Sequence, residues 1–157
     1  MTGFVAAPPA AAAPVADAIA GDGWWPALSI AVFREATRLG TMVTDLRARE
    51  ALLGAAITVG DALAAWRAGH EAAGVEELKD VPGRAIGGET RATVLWRRAV
   101  YATAAADLAE THNDISATDQ GRKTSDARAT SAADHRRNAI VAIRDLLGAS
   151  RARVALL

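Results

Sequence analysis

Apolar residues recur at three- and four-residue spacing through most of the chain, which predicts helices. Pro26 suits a first helical turn, and Ile30, Phe33 and Thr37 share one side while Arg34, Glu35 and Arg38 lie elsewhere. A short helix is expected over about 26–39, stopped by Gly40. Thr44 reads as an N-cap with Asp45 in the first turn of a long helix that ends near Gly69 or Gly74. Its stripe is Leu46, Leu53, Ile57 and Ala64, widened by Leu52, Ala56, Val59, Leu63 and Trp66. Gly54 and Gly60 each cost about 1 kcal/mol against Ala unless they let another element approach closely. Residues 75–88 form a loop punctuated by Pro82-Gly83 and Gly87-Gly88. A third helix over about 89–112 carries Val94, Tyr101, Ala105 and Leu108, with Leu95, Ala102 and Ala109 beside them. After a polar stretch over 114–126, Ala132, Ala139, Ile140, Ile143, Leu146 and Leu147 mark the face of a last helix over about 125–147, ended by Gly148. No strand-and-turn pattern precedes the tail. The expected class is all-α, a small antiparallel bundle of about four helices.

The two ends differ from this middle. Residues 1–23 are rich in Ala, Pro and Gly and nearly uncharged, and Pro8, Pro9 and Pro14 favour extended polyproline geometry. Such a segment buries too little to offset its own ordering, so it reads as an arm that orders only on a partner surface, with at most one helical turn over 15–20. The expected organisation is an arm over 1–23, a helical domain over 24–148 and an extended tail over 149–157.

Composition narrows the function. The chain has 157 residues, enough for a core without metals or disulfides. Forty of them are Ala, so the 51% hydrophobic content overstates the large side chains available. Lys+Arg and Asp+Glu are 18 each, which argues against electrostatic capture of nucleic acid or anionic lipid as the main task. The absence of Cys removes disulfides, thiol nucleophiles and cysteine metal sites. No stretch is long and apolar enough to cross a bilayer. The opening residues lack the positive start and Leu-rich centre of a secretory signal.

No catalytic pattern emerges. His70, His112 and His135 lack metal-site spacing, and the glycines at 83, 87 and 88 lack the strand and Gly-Lys-Ser/Thr of a phosphate loop. The carboxylate pairs Glu76-Glu77, Asp107 with Glu110 and Asp114 with Asp119 read as solvated faces, and the serines lack a nucleophile elbow. Arg97-Arg98 and Arg136-Arg137 are more consistent with ion pairs than with a DNA-reading helix. Spacing and composition alone therefore leave an all-α interaction domain, with no cofactor or metal site expected. Trp24 and Trp25, at the junction of arm and helices, are candidates for core or for interface anchors.

Several segments, taken in order, resemble one family. Lys79-Asp80-Val81-Pro82 and Ile86-Gly87-Gly88-Glu89 come first, then Leu95-Trp96-Arg97-Arg98-Ala99-Val100-Tyr101 and Leu108-Ala109-Glu110. The spacing Asp114…Ala117-Thr118…Gly121 follows, then Ile143-Arg144-Asp145-Leu146-Leu147-Gly148, Arg151 and Val154-Ala155-Leu156-Leu157. This order is similar to the phage head completion protein (GpL) family of Peduovirus-like contractile-tailed phages, with Arg97, Arg98, Tyr101, Asp145 and Gly148 as motif positions. The sequence departs from the family pattern at Ala155, where an acidic residue is usual, and at Val141, where an aromatic residue is usual.

The resemblance implies a structural, non-enzymatic virion protein at the head–tail junction, assembled in the bacterial cytoplasm. It implies a homo-oligomeric ring of twelve-fold symmetry that binds the portal after packaging, docks a tail-side connector or tail terminator, and lets DNA pass through its lumen without sequence-specific contacts. The tail, with Val154, Leu156 and Leu157 as apolar anchors and Arg151 and Arg153 as cations, is the expected portal-binding segment; the alternative is that Leu156 and Leu157 fold back on the chain's own bundle. The rival reading is a cytosolic all-α adaptor or regulator outside any virion.

Overall fold

The computed structural model describes residues 16–37, 43–113 and 119–148, with the side chains of 112–131 excepted. Among them are five α-helices, one 3₁₀ turn and two short antiparallel strand pairs. The helices are α1 (Ile30–Thr37), α2 (Asp45–Ala62), α3 (Ala64–Ala72), α4 (Arg91–Asn113) and α5 (Asp119–Leu146). The strands are β1 (Ala18–Ile19) with β2 (Leu28–Ser29), and β3 (Ala85–Ile86) with β4 (Glu89–Thr90). The molecule is mostly helical, but the strand pairs correct the purely helical expectation.

Helix α4 is the centre. Its buried residues, including Leu95, Trp96, Ala99, Val100, Ala104, Ala105 and Leu108, cover more than one face, so it is enclosed from several sides. Helix α5 returns along it: Arg91 of α4 donates to the Asp145 carbonyl, and Arg136 pairs with Glu110 near the other end. Helix α2 also runs antiparallel to α4, since Ala51–Thr58 lie beside Thr103 and Asp107 whereas Gly60 and Ala64 lie near Trp96.

The long helix expected over 44–69 is two helices bent by 64° at Leu63. Leu63 is fully buried, and its φ of −104° and ψ of 3° leave the helical region. The turn swings Trp66 against Trp24 instead of continuing along α4. Thr44 is the N-cap, its hydroxyl accepting from the Arg47 N–H. The stripe assignment is corrected more sharply. Ala48, Ala51, Leu52, Ala55 and Val59 face the core, while Leu46 and Ile57 are 58% and 65% exposed. Leu53 is only half-buried.

Helix α1 begins at Ile30, four residues later than Pro26 suggested. The Ser29 hydroxyl accepts from Val32 N–H, and Asp17, twelve residues upstream of Ser29, accepts from Ala31 N–H and the Ser29 hydroxyl. Residues 17–23 therefore hold part of the fold: Ile19 is 4% exposed within the core, in a strand rather than a helical turn. Gly21 is required by close approach, because a Cβ there would lie 1.8 Å from the Trp25 carbonyl oxygen.

Within 75–88, Leu78–Asp80 form the 3₁₀ turn, and fully buried Leu78 donates its N–H to the Trp24 carbonyl. Gly87 and Gly88 have φ of 63° and 82°, the pair of left-handed residues that closes a two-residue hairpin. Helix α5 starts at Asp119, earlier than the expected 125, and takes Gly121 into the helix. Its face is Ala132, Ala139, Ala142 and Leu146, with Ile140 56% and Leu147 46% exposed. Gly148, at φ 69°, follows as the stop. The tail 149–157 and residues 1–15 lie outside the described residues.

Candidate assembly surfaces

Four tryptophans from separated segments meet beside α2 and α3. Trp24 and Trp25 touch edge-on at 4.5 Å, Trp66 meets Trp24 edge-on at 5.9 Å, and Trp25 stacks on Trp96 at 5.3 Å and 10°. Trp24 and Trp96 are buried; Trp25 and Trp66 are half-buried. A Cβ at Gly60 would sit 3.7 Å from Trp25 Nε1, an ordinary contact, so the ring packs beside α2 without needing a glycine there.

Charged groups lock the cluster. Asp22 accepts from the N–H groups of Trp24 and Trp25, and Arg67 donates to Asp22 at 2.5 Å and to Glu71 at 2.8 Å. The Arg67 guanidinium also lies 5.2 Å from the Trp24 ring centroid. Burial pushes the Asp22 carboxyl up, but the two N–H donors and Arg67 outweigh it and hold it below its usual value. Beside the cluster lies an open groove of about 540 Å³. Its floor is Trp25 and Trp96, and its walls include Ile19, Leu28, Leu53 and Ile57.

The motif residues find structural partners. Arg97 grips Glu89 through two hydrogen bonds of 2.5 and 2.6 Å, tying the hairpin to α4. The Arg97 hydrogen bonds hold Glu89 below the usual carboxylate value, and Glu89 raises Arg97 in turn. Tyr101 packs on Phe33 at 5.2 Å and reaches the Ser29 carbonyl at 3.5 Å; burial raises its phenol above the ordinary value. Arg98 is exposed, beside a shallow cleft shared with His135 and Asn138 of α5 and with Thr37. Asp145 contributes its backbone carbonyl to Arg91. Arg151, Arg153, Val154, Leu156 and Leu157 lie outside the described residues.

The spacing argument missed the Asp22–Arg67–Glu71 clamp and the Glu89–Arg97 pair. The first had a signal, since Gly-Asp-Gly before an aromatic pair is an Asx-turn pattern. The second spans a turn and a helix, and its residues share no periodicity. Among the described residues, no three His, Asp or Glu side chains converge as metal ligands.

These features define a mostly helical domain whose ion pairs staple the fold together and whose exposed apolar side chains lie on several faces. The chain belongs to the phage head completion protein (GPL) family, whose family model matches residues 19–157. That match begins at Ile19, the first buried residue of the described fold. A head completion/stabilization protein of Escherichia phage P2 is 35% identical over 94 residues. The aligned stretch covers 60% of this chain and 56% of that protein, so the chain spans little more than half the length of the curated relative it matches. No solved structure matches the chain. Both the family description and the name of the P2 relative refer to completion of the phage head.

Proposed function

We propose that the protein acts as a head–tail adaptor: copies assemble head-to-tail into a ring beneath the portal after DNA packaging and present the surface on which the tail docks. The carrying observation is the family match across 19–157. A ring needs two unlike faces on each subunit. Exposed Leu46, Ile57, Ile86, Ile140 and Leu147 supply apolar surface on α2, on the hairpin, on α5 and just beyond it. The name of the P2 relative adds a second part to this reading, stabilisation of the filled head.

In this reading the tail provides the portal contact. Val154, Leu156 and Leu157 are its apolar anchors, and Arg151 and Arg153 pair with acidic portal residues. Electron microscopy of the purified protein mixed with its portal tests the ring: stacked rings are the expected outcome, and folded protein that stays unattached overturns it. Truncation after Ser150 tests the tail. The shortened chain should melt like the parent and fail to join portals; full portal binding by it would remove the tail from the contact.

A further inference from the structure

We propose that the tryptophan-floored groove is the docking site for the first residues of this same chain, with Phe4-Val5 and Pro8-Pro9 entering it. The groove has about 540 Å³ of space, within the range of ligand pockets, and its lining includes Leu53, Ala56 and Ile57 from the apolar stripe of α2 that helical spacing would bury. Ile57, on that wall, is 65% exposed.

Position, length and chemistry select this occupant. Ile19 and Ala20 are themselves groove wall, and the described chain begins at Ala16, so residues 1–15 are tethered within a few residues of it. Fifteen residues in polyproline geometry span about 46 Å at roughly 3.1 Å each, ample to turn and lie along a groove. Such a tether holds its segment at an effective concentration of order millimolar, so even weak docking is populated.

The segment is also of the right kind. Residues 1–16 carry no charged side chain, and Pro8, Pro9 and Pro14 favour polyproline geometry at their own positions. Polyproline segments dock on aromatic-lined grooves because little conformational entropy remains to be lost. Here the stacked rings of Trp25 and Trp96 are the aromatic floor. The rim carboxylates of Asp22 and Glu71 already hold Arg67, so an uncharged segment leaves that clamp intact. The proposal does not depend on the ring or the portal.

The test compares three full-length chains: the parent, Phe4→Ser with Pro9→Ser, and Ile57→Glu. The first variant changes only the segment, and the second changes an exposed wall residue, so both should melt within a degree or two of the parent. Docking predicts that each variant shifts tryptophan emission to the red and raises acrylamide quenching about twofold or more. A synthetic peptide of residues 1–15 should reverse both changes, saturably, in the Phe4/Pro9 variant and fail to do so in Ile57→Glu. Unchanged quenching in both variants overturns the proposal. So does reversal by a peptide of residues 149–157 in place of 1–15, which gives the groove to the tail. Sedimentation showing a dimer that depends on Phe4 and Pro9 also overturns own-chain docking and assigns the groove to a second copy. A variant that melts far below the parent would place its residue in the core and count against the proposal equally.

Discussion

The tryptophan cluster and the α2–α4–α5 layer are held together by opposite means. Around Trp24, Trp25, Trp66 and Trp96 a few large rings meet edge-on or stacked, and Asp22 and Arg67 bind the segments that carry them. Between the long helices the buried side chains are largely Ala: Ala48, Ala51 and Ala55 on α2, Ala99, Ala104 and Ala105 on α4, Ala139 and Ala142 on α5. A ring buries roughly 150–250 Å² and contributes much per residue. An Ala methyl contributes under about 1 kcal/mol but loses no rotamer freedom and lets backbones approach closely. The aromatic region thus concentrates its stability in few positions, whereas the alanine layer spreads it over many and depends on shape. Truncation should be most damaging in the first region and enlargement in the second.

The largest effect is expected from Trp96→Ala, which empties a 2%-exposed site on the central helix and removes the stacking partner of Trp25. Thermal or urea unfolding should show a loss of about 3–5 kcal/mol. A loss below about 1 kcal/mol would mean the cluster carries no special share of stability. Next comes Ala104→Leu, an enlargement at a fully buried position in the alanine layer. Overpacking should destabilise by about 1–3 kcal/mol. A neutral result would show that the layer has room and that close approach is not its organising principle.

Asp22→Ala tests the polar lock on the rings. It leaves the Trp24 and Trp25 N–H groups without their acceptor and leaves Arg67 with Glu71 alone of its two carboxylate partners. A cap-like loss of about 0.5–2 kcal/mol is expected, toward the lower end because Asp22 is half-exposed. Arg67→Lys should retain part of the ion pair but lose the forked geometry that reaches both Asp22 and Glu71.

Acid should weaken the same contacts. Asp22 and Glu89 are held below their usual values in the folded chain, so the fold favours their ionised forms. Their contribution is present above the unfolded carboxylate range near pH 4 and fades as pH falls through the lowered folded values. The melting temperature should therefore decline from about pH 4 downward, and less steeply in the Asp22→Ala chain. Identical acid profiles would remove Asp22 from the linkage. The smallest effect belongs to Leu46→Ser: at 58% exposure it should change stability by no more than about 0.5 kcal/mol, and a larger loss would return this stripe to the core.

The helical segments α4 and α5, the Thr44 cap, the Gly148 stop and the family motifs were legible from the chain alone. They rest on local periodicity, on capping chemistry and on residues whose order survives without coordinates. The helical start at Pro26 was misread because the acceptor that settles it, Asp17, lies far upstream and across a strand pair. The break at Leu63 has no Pro and only Gly60 three residues before it; Leu63 is buried there and Trp66 meets Trp24, long-range contacts that local spacing does not reveal.

The choice of core face shows the division most clearly. The sequence alone determined that α2 would be a helix with apolar residues on more than one side. It did not decide between the Leu46–Leu53–Ile57 edge of its wide apolar stripe and the side carrying Ala48, Ala51, Leu52, Ala55 and Val59, because side-chain size favours burying the first as well as Leu52 and Val59. Tertiary structure chose the second, since α4 offers an alanine-rich surface that approaches closely only where α2 is also small. The hydrophobic effect counts apolar area on each helix separately, whereas close packing is a property of two surfaces together. Leu52 and Val59 are buried with the alanines, while Leu46 and Ile57 face outward, Ile57 along the wall of the groove.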